Sequence, residues 1–137
     1  MGARHFSDLA AWQLSASLRD RIHELTDRGA AKTNRAFYND IRDAASGIPN
    51  SVAEGHGRFT PADNRRFLNI ARASLAEVQN RLLEGKRRKY WSDVDFSEVW
   101  ALSCRAEAAI AGLMRYLGTD RAKRNANAIR ESSWPRT

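Results

Sequence analysis

Apolar side chains recur along this chain at intervals of three and four residues, the spacing that places them on one face of an α-helix. The first series is Ala11, Leu14, Leu18, Ile22 and Leu25, with Leu9 and Trp12 beside it. It predicts a helix over about Asp8 to Arg28, capped by Ser7 or Asp8 and followed by Gly29. The second series, Phe37, Ile41, Ala44, Ile48, Val52 and Gly55, keeps its period straight through Pro49, so the helix is expected to bend there without ending. Proline removes the hydrogen bond to the carbonyl of Ala45, at a cost of about 3 kcal/mol in a regular helix unless packing absorbs it. The small residues Ala44, Ala45 and Gly47 leave room there for a close neighbour, and Gly55 and Gly57 stop the helix near Glu54 or His56.

Thr60-Pro61-Ala62-Asp63 is a strong start signal: a capping hydroxyl, proline at the first helical position and a carboxylate in the first turn. The helix it opens carries Leu68, Ala71, Leu75, Val78 and Leu82, widened by Phe67 and Ile70, and is expected to reach Lys86 or beyond. Tyr90-Trp91-Ser92-Asp93 breaks the pattern. A fourth series follows as Phe96, Val99, Ala106, Ile110, Leu113 and Leu117, broadened by Trp100 and Met114 and closed by Gly118. No strand-like alternation occurs and the connections are short, so residues 1–118 are expected to pack as an all-α, antiparallel four-helix bundle. Residues 119–137 are basic and poor in apolar side chains, a tail expected to be flexible or ordered by a partner.

Composition adds a partner class to this picture. The 137 residues suit one domain, 42% of them hydrophobic and 28% charged. Lys and Arg number 23 against 16 Asp and Glu, for a net charge of +7, and arginine dominates the excess. Such a surface attracts RNA, DNA or anionic lipid, although solubility alone is also served by it. The single Cys104 excludes an intrachain disulfide and a cysteine zinc cluster. No apolar run approaches a membrane span and the N-terminus lacks an apolar signal core, so a cytoplasmic protein without membrane contact is expected.

Several short motifs give the pattern a family likeness. Phe6-Ser7-Asp8-Leu9 with Trp12-Gln13, Ile48-Pro49 with Ala53-Glu54-Gly55 and Gly57-Arg58, and Arg66-Phe67-Leu68 with Ile70-Ala71 and Ser74-Leu75-Ala76-Glu77 resemble the small bacterial S23, or 23S rRNA intervening-sequence, proteins. That family includes relatives of the accessory variability determinant of diversity-generating retroelements. The likeness spans roughly Phe6 to Gly118 and departs from the family at Gly47, usually serine, and Ala73, usually glycine. The resemblance implies an up-down bundle assembling as a homopentameric ring. It further implies association with RNA or DNA, in the retroelement branch with a reverse transcriptase, and no catalysis or cofactor of its own.

The residues that would carry binding are mostly arginines. Arg65, Arg72, Gln79 and Lys86 recur every seven residues on the third predicted helix, with Arg66, Asn69, Asn80 and Arg87 beside them. They predict a mostly cationic edge of about 30 Å, long enough to follow several phosphates. An ordinary solvated face would show the same pattern. Lys86-Arg87-Arg88-Lys89 next to Tyr90-Trp91 pairs charge with aromatics, a combination suited to backbone and base. The same run also fits a helix end stabilised by cations, with Trp91 sealing the bundle. With Arg58 and the tail residues Arg121, Lys123 and Arg124, these form the candidate nucleic-acid-binding set. No metal site is expected. Glu54 near His56 invites an acid-base reading, but no helical RNase spacing or phosphate loop accompanies it, and Glu54 is expected to pair with an arginine such as Arg58 or with another subunit. The rival classes are a protein-interaction adaptor with incidental polyanion affinity and a helical RNase centred on Glu54 and His56.

Overall fold

Caps and glycines decide where each apolar series becomes a helix. The computed structural model describes residues 4–119 and 122–124. A 3-10 turn at Phe6–Asp8 leads into α1 (Ala10–Thr26), α2 (Gly29–Thr33), α3 (Arg35–His56), α4 (Pro61–Arg87) and α5 (Asp93–Leu117). No strand occurs among the described residues, and the fold is all-α.

The first helix is shorter than its apolar series predicts. Ser7 does not cap it: the Ser7 backbone N–H donates to His5 Nδ1 at 3.3 Å within the preceding turn, where its hydroxyl also meets that nitrogen at 2.6 Å. Asp8 is the last residue of that turn, and Leu9 holds the N-cap position without a side-chain bond. At the other end Gly29 adopts φ +66°, a left-handed conformation that glycine enters without a Cβ penalty. It opens the five-residue α2, which no apolar period announces and which buries Ala31 completely.

The other long helices follow their signals. Asn34 Oδ1 caps α3 by accepting from the Phe37 N–H at 3.3 Å, and α3 continues through the buried Pro49 to His56. Thr60 Oγ1 accepts from the Asp63 N–H at 3.1 Å at the start of α4, and Ser92 Oγ from the Asp95 N–H at 3.0 Å at the start of α5. The fully buried Leu18, Ile22, Ile41, Ile48, Leu68, Leu75, Leu82 and Ile110 come from α1, α3, α4 and α5, so one core is shared by the four long helices. Each such side chain contributes about 1.5–3 kcal/mol through its burial.

Contacts fix how these helices lie. α1 packs on α3 and α5, and α4 packs on the same two, with α3 and α4 forming the most extensive pair. Asp40, Gly47 and Gly55 of α3 meet Arg81, Ser74 and Phe67 of α4 in turn, so the two helices run past each other in opposite directions. Gln79 meets Ser103 and Lys86 meets Phe96 across α4 and α5 in the same opposed sense, with Arg65 beside Gly118 at the far end. Where α4 stops, Trp91 packs on Gly85 and beside Phe37 and Tyr90, with its indole N–H directed to the Leu82 carbonyl at 3.4 Å. None of the described helices is long and apolar enough to cross a membrane.

Candidate nucleic-acid interface

A helix places residues seven apart on one flank, and α4 does so with Arg65, Arg72, Gln79 and Lys86, the flank that faces α5. The edge expected to be mostly cationic is interrupted in its middle. Gln79 is half-buried and donates to Ser103 Oγ at 3.2 Å, and Lys86 lies 4.6 Å from the centre of the Phe96 ring. On the opposite flank Arg81 is bound to Asp40 at 3.1 Å and Glu84 at 2.8 Å. Between Arg72 and Lys86, α4 presents Ala73, Ala76, Glu77, Asn80 and Leu83 to solvent instead of positive charge.

The candidate cations other than Arg72 therefore gather at two ends of the molecule, separated by roughly the 30 Å that α4 rises from Arg65 to Lys86. One end holds Arg58 and Thr60 in the α3–α4 turn, Arg65 and Arg66 on the first turns of α4, and Gly118 beside Arg65. Residues 122–124 are helical and follow Gly118; Ala122 is buried there, while Lys123 and Arg124 are exposed. Arg121 lies outside the described residues, as does the tail from residue 125. The other end holds Lys86, Arg87, Arg88 and Lys89.

Ion pairs engage some of the cations at each end and leave others without an ion-pair partner among the described residues. Around the Lys86 end, Arg21 reaches Glu24, Asp95 and Glu98, Arg28 reaches Asp95, and Arg88 reaches Glu84 at 3.0 Å. The hydrogen bond from Arg81, strengthened by the charges of Arg81 and Arg88, holds the Glu84 carboxyl below its ordinary value. At the α3–α4 turn one carboxylate serves two arginines: Asp63 lies 3.0 Å from Arg66 and 3.9 Å from Arg58. Arg58 thus pairs with Asp63 and not with Glu54, because the turn carries its guanidinium over Phe67 and toward the first turn of α4. Arg65, Arg72, Arg87 and Lys89 are exposed and make no ion pair among the described residues. They are the groups with charge to spare for phosphate.

The aromatic residues next to the basic run are committed to the fold. Tyr90 accepts a hydrogen bond from Asn34 Nδ2 at 2.8 Å and sets its ring edge-on to Phe37, and Trp91 fills the space that Gly85 leaves. The basic run thus projects from a sealed helix end, as the structural reading of Trp91 expected. Trp12 and Trp100 are half-buried, Trp12 against Phe6 and Trp100 stacked on Phe96. Glu54 is exposed and His56 half-buried. Sequence reasoning passed over one residue at this surface, Phe59, which stands 64% exposed between Arg58 and Thr60. A lone phenylalanine in a turn carries no periodicity, so only its exposure marks it.

Comparison with known proteins adds a family to this geometry. Residues 7–130 match the family described as 23S rRNA-intervening sequence protein. Among curated proteins none matches the chain.

Proposed function

The chain belongs to the 23S rRNA-intervening sequence protein family, and from that premise we propose that it is a non-enzymatic, RNA-associated protein that binds polyanion through its exposed arginines. The observation that carries the reading is that Arg65 and Arg72 on α4 make no ion pair among the described residues, beside an α3–α4 turn where, among those residues, Asp63 alone answers Arg58 and Arg66. Guanidinium groups grip phosphate oxygens and release counterions, so recognition is of backbone and shape before sequence. DNA presents the same phosphates and is a second ligand of this surface. The molecule acts in the cytoplasm.

The four long helices make an up-down bundle in this proposal, and copies of it assemble into a homopentameric ring. Exposed Ile70 and Leu83, with Ala73 and Ala76 between them on the outer face of α4, support association between copies. A ring repeats each weak cationic patch, which raises the effective affinity for a long RNA. Docking of a reverse transcriptase extends the proposal along the retroelement branch of the resemblance, and co-purification that survives nuclease treatment is its test.

The direct experiment is fluorescence anisotropy of the intact chain with structured RNA, single-stranded DNA and duplex DNA, with mass in the same buffer from light scattering. The proposal expects binding to RNA by a ring-sized species. Failure to bind any of the three at low salt overturns it and turns the basic surface into a protein-docking face.

A further inference from the structure

We infer that the α3–α4 turn is a stacking site for an unpaired RNA base, with Phe59 as its platform and Arg58 and Arg66 as phosphate grips beside it. This rests on the RNA-associated reading above and names the place on the molecule where a single-stranded nucleotide is held. A lone exposed apolar side chain is ordinary on a protein surface; the setting of Phe59 is not.

Phe59 sits in the short connection between His56 and Pro61 and is 64% exposed, so its ring contributes little to the core. Two guanidinium groups, one on the residue before it and one on the first turns of α4, are held by common partners. Arg58 lies 4.4 Å and Arg66 4.8 Å from the centre of the buried Phe67 ring, and Asp63 pairs with both. Fixed against a ring and a carboxylate, these long side chains lose less freedom on meeting a ligand than free arginines would. Arg65 adds a further charge without an ion-pair partner among the described residues.

The chemistry selects an unpaired nucleotide. A base offers its face to a phenyl ring only when it is unstacked, any of the four bases can supply that face, and its flanking phosphates meet the arginines. The residues flanking Phe59 in the chain are Arg58 and Thr60, and the other exposed large apolar side chains among the described residues, Ile70, Leu83 and Val94, belong to α4 and α5 and not to this turn.

The test compares three RNAs of equal length: a hairpin with an unpaired loop, the same hairpin with abasic loop nucleotides, and a full duplex. The proteins are the intact chain, Phe59→Ala and Phe59→Tyr. The intact chain should prefer the base-bearing loop. Phe59→Ala should bind that loop about tenfold more weakly and lose the distinction from the abasic loop. Its melting temperature and log-log salt slope should stay unchanged, since no buried contact or charge is removed. Phe59→Tyr should keep both affinity and distinction. If Phe59→Ala retains full affinity and full discrimination, the stacking site is overturned and the RNA reading stands; if the intact chain binds no RNA, both fall.

Discussion

Two glycines show how closely single atoms are constrained in this fold. A Cβ at Gly55 would stand 2.7 Å from Asn64 Oδ1 and 2.9 Å from Phe67 Cβ, and a Cβ at Gly85 would fall inside the Trp91 indole. Gly85→Ala is therefore expected to lower stability by about 1–3 kcal/mol or more, read as a drop in the denaturant midpoint. Lys89 is the reverse case. It holds φ 60° at the end of α4, where the Tyr90 N–H donates to the Gly85 carbonyl and the Lys89 N–H to the Lys86 carbonyl, a closure that usually employs glycine. Lys89→Gly should raise stability by up to about 1 kcal/mol in the same measurement. His23 supplies a pH dependence. Its Nε2 is buried without a hydrogen-bond partner, and burial followed by the nearby Arg42 and Arg19 lowers its pKa below the ordinary 6.5. The unfolded chain then binds the proton first as pH falls, so this stability is complete above about 6.5 and declines toward the folded-state pKa. His23→Gln should flatten the dependence of the melting temperature on pH just below that point.

At the scale of elements, caps and apolar periods account for most of what forms. Thr60→Ala removes the bond to the Asp63 N–H and should cost about 1 kcal/mol, measured by chemical denaturation, without changing the helical content of the native state. The four long helices were legible in the sequence because each carries a long period of buried apolar residues and, for α4 and α5, an unambiguous hydroxyl cap. The short α2 was not, since five residues with one buried alanine present no period. The start of α1 was misread because Ser7, which fits a cap by type, is engaged within the preceding turn by His5. Charge was legible by position and illegible by pairing. Gln79 of the predicted edge donates to Ser103, 24 positions away in the chain, a partner that spacing along one helix does not reveal.

For the whole molecule, the consequence is that basic residues spread along the chain act as two separate groups. Among the described residues at the Lys86 end, the acids of α1 and α5 pair with Arg21 and Arg28 and Glu84 of α4 pairs with Arg81 and Arg88, leaving Arg87 and Lys89 without an ion pair. At the α3–α4 turn, among the described residues, Asp63 pairs with both Arg58 and Arg66, and an exposed aromatic ring stands next to Arg58 in the chain. The central claim, that arginines at this turn and along α4 hold RNA, is tested most directly by RNA affinity across a salt series. The comparison is the intact chain against a Arg58→Gln, Arg65→Gln, Arg66→Gln triple variant, with melting temperature as the folding control. The account predicts weaker binding and a log-log salt slope shallower by about two for the variant, since each lost phosphate contact removes roughly 0.7–0.9 from the slope. Equal affinity and equal slope in a folded variant would contradict it.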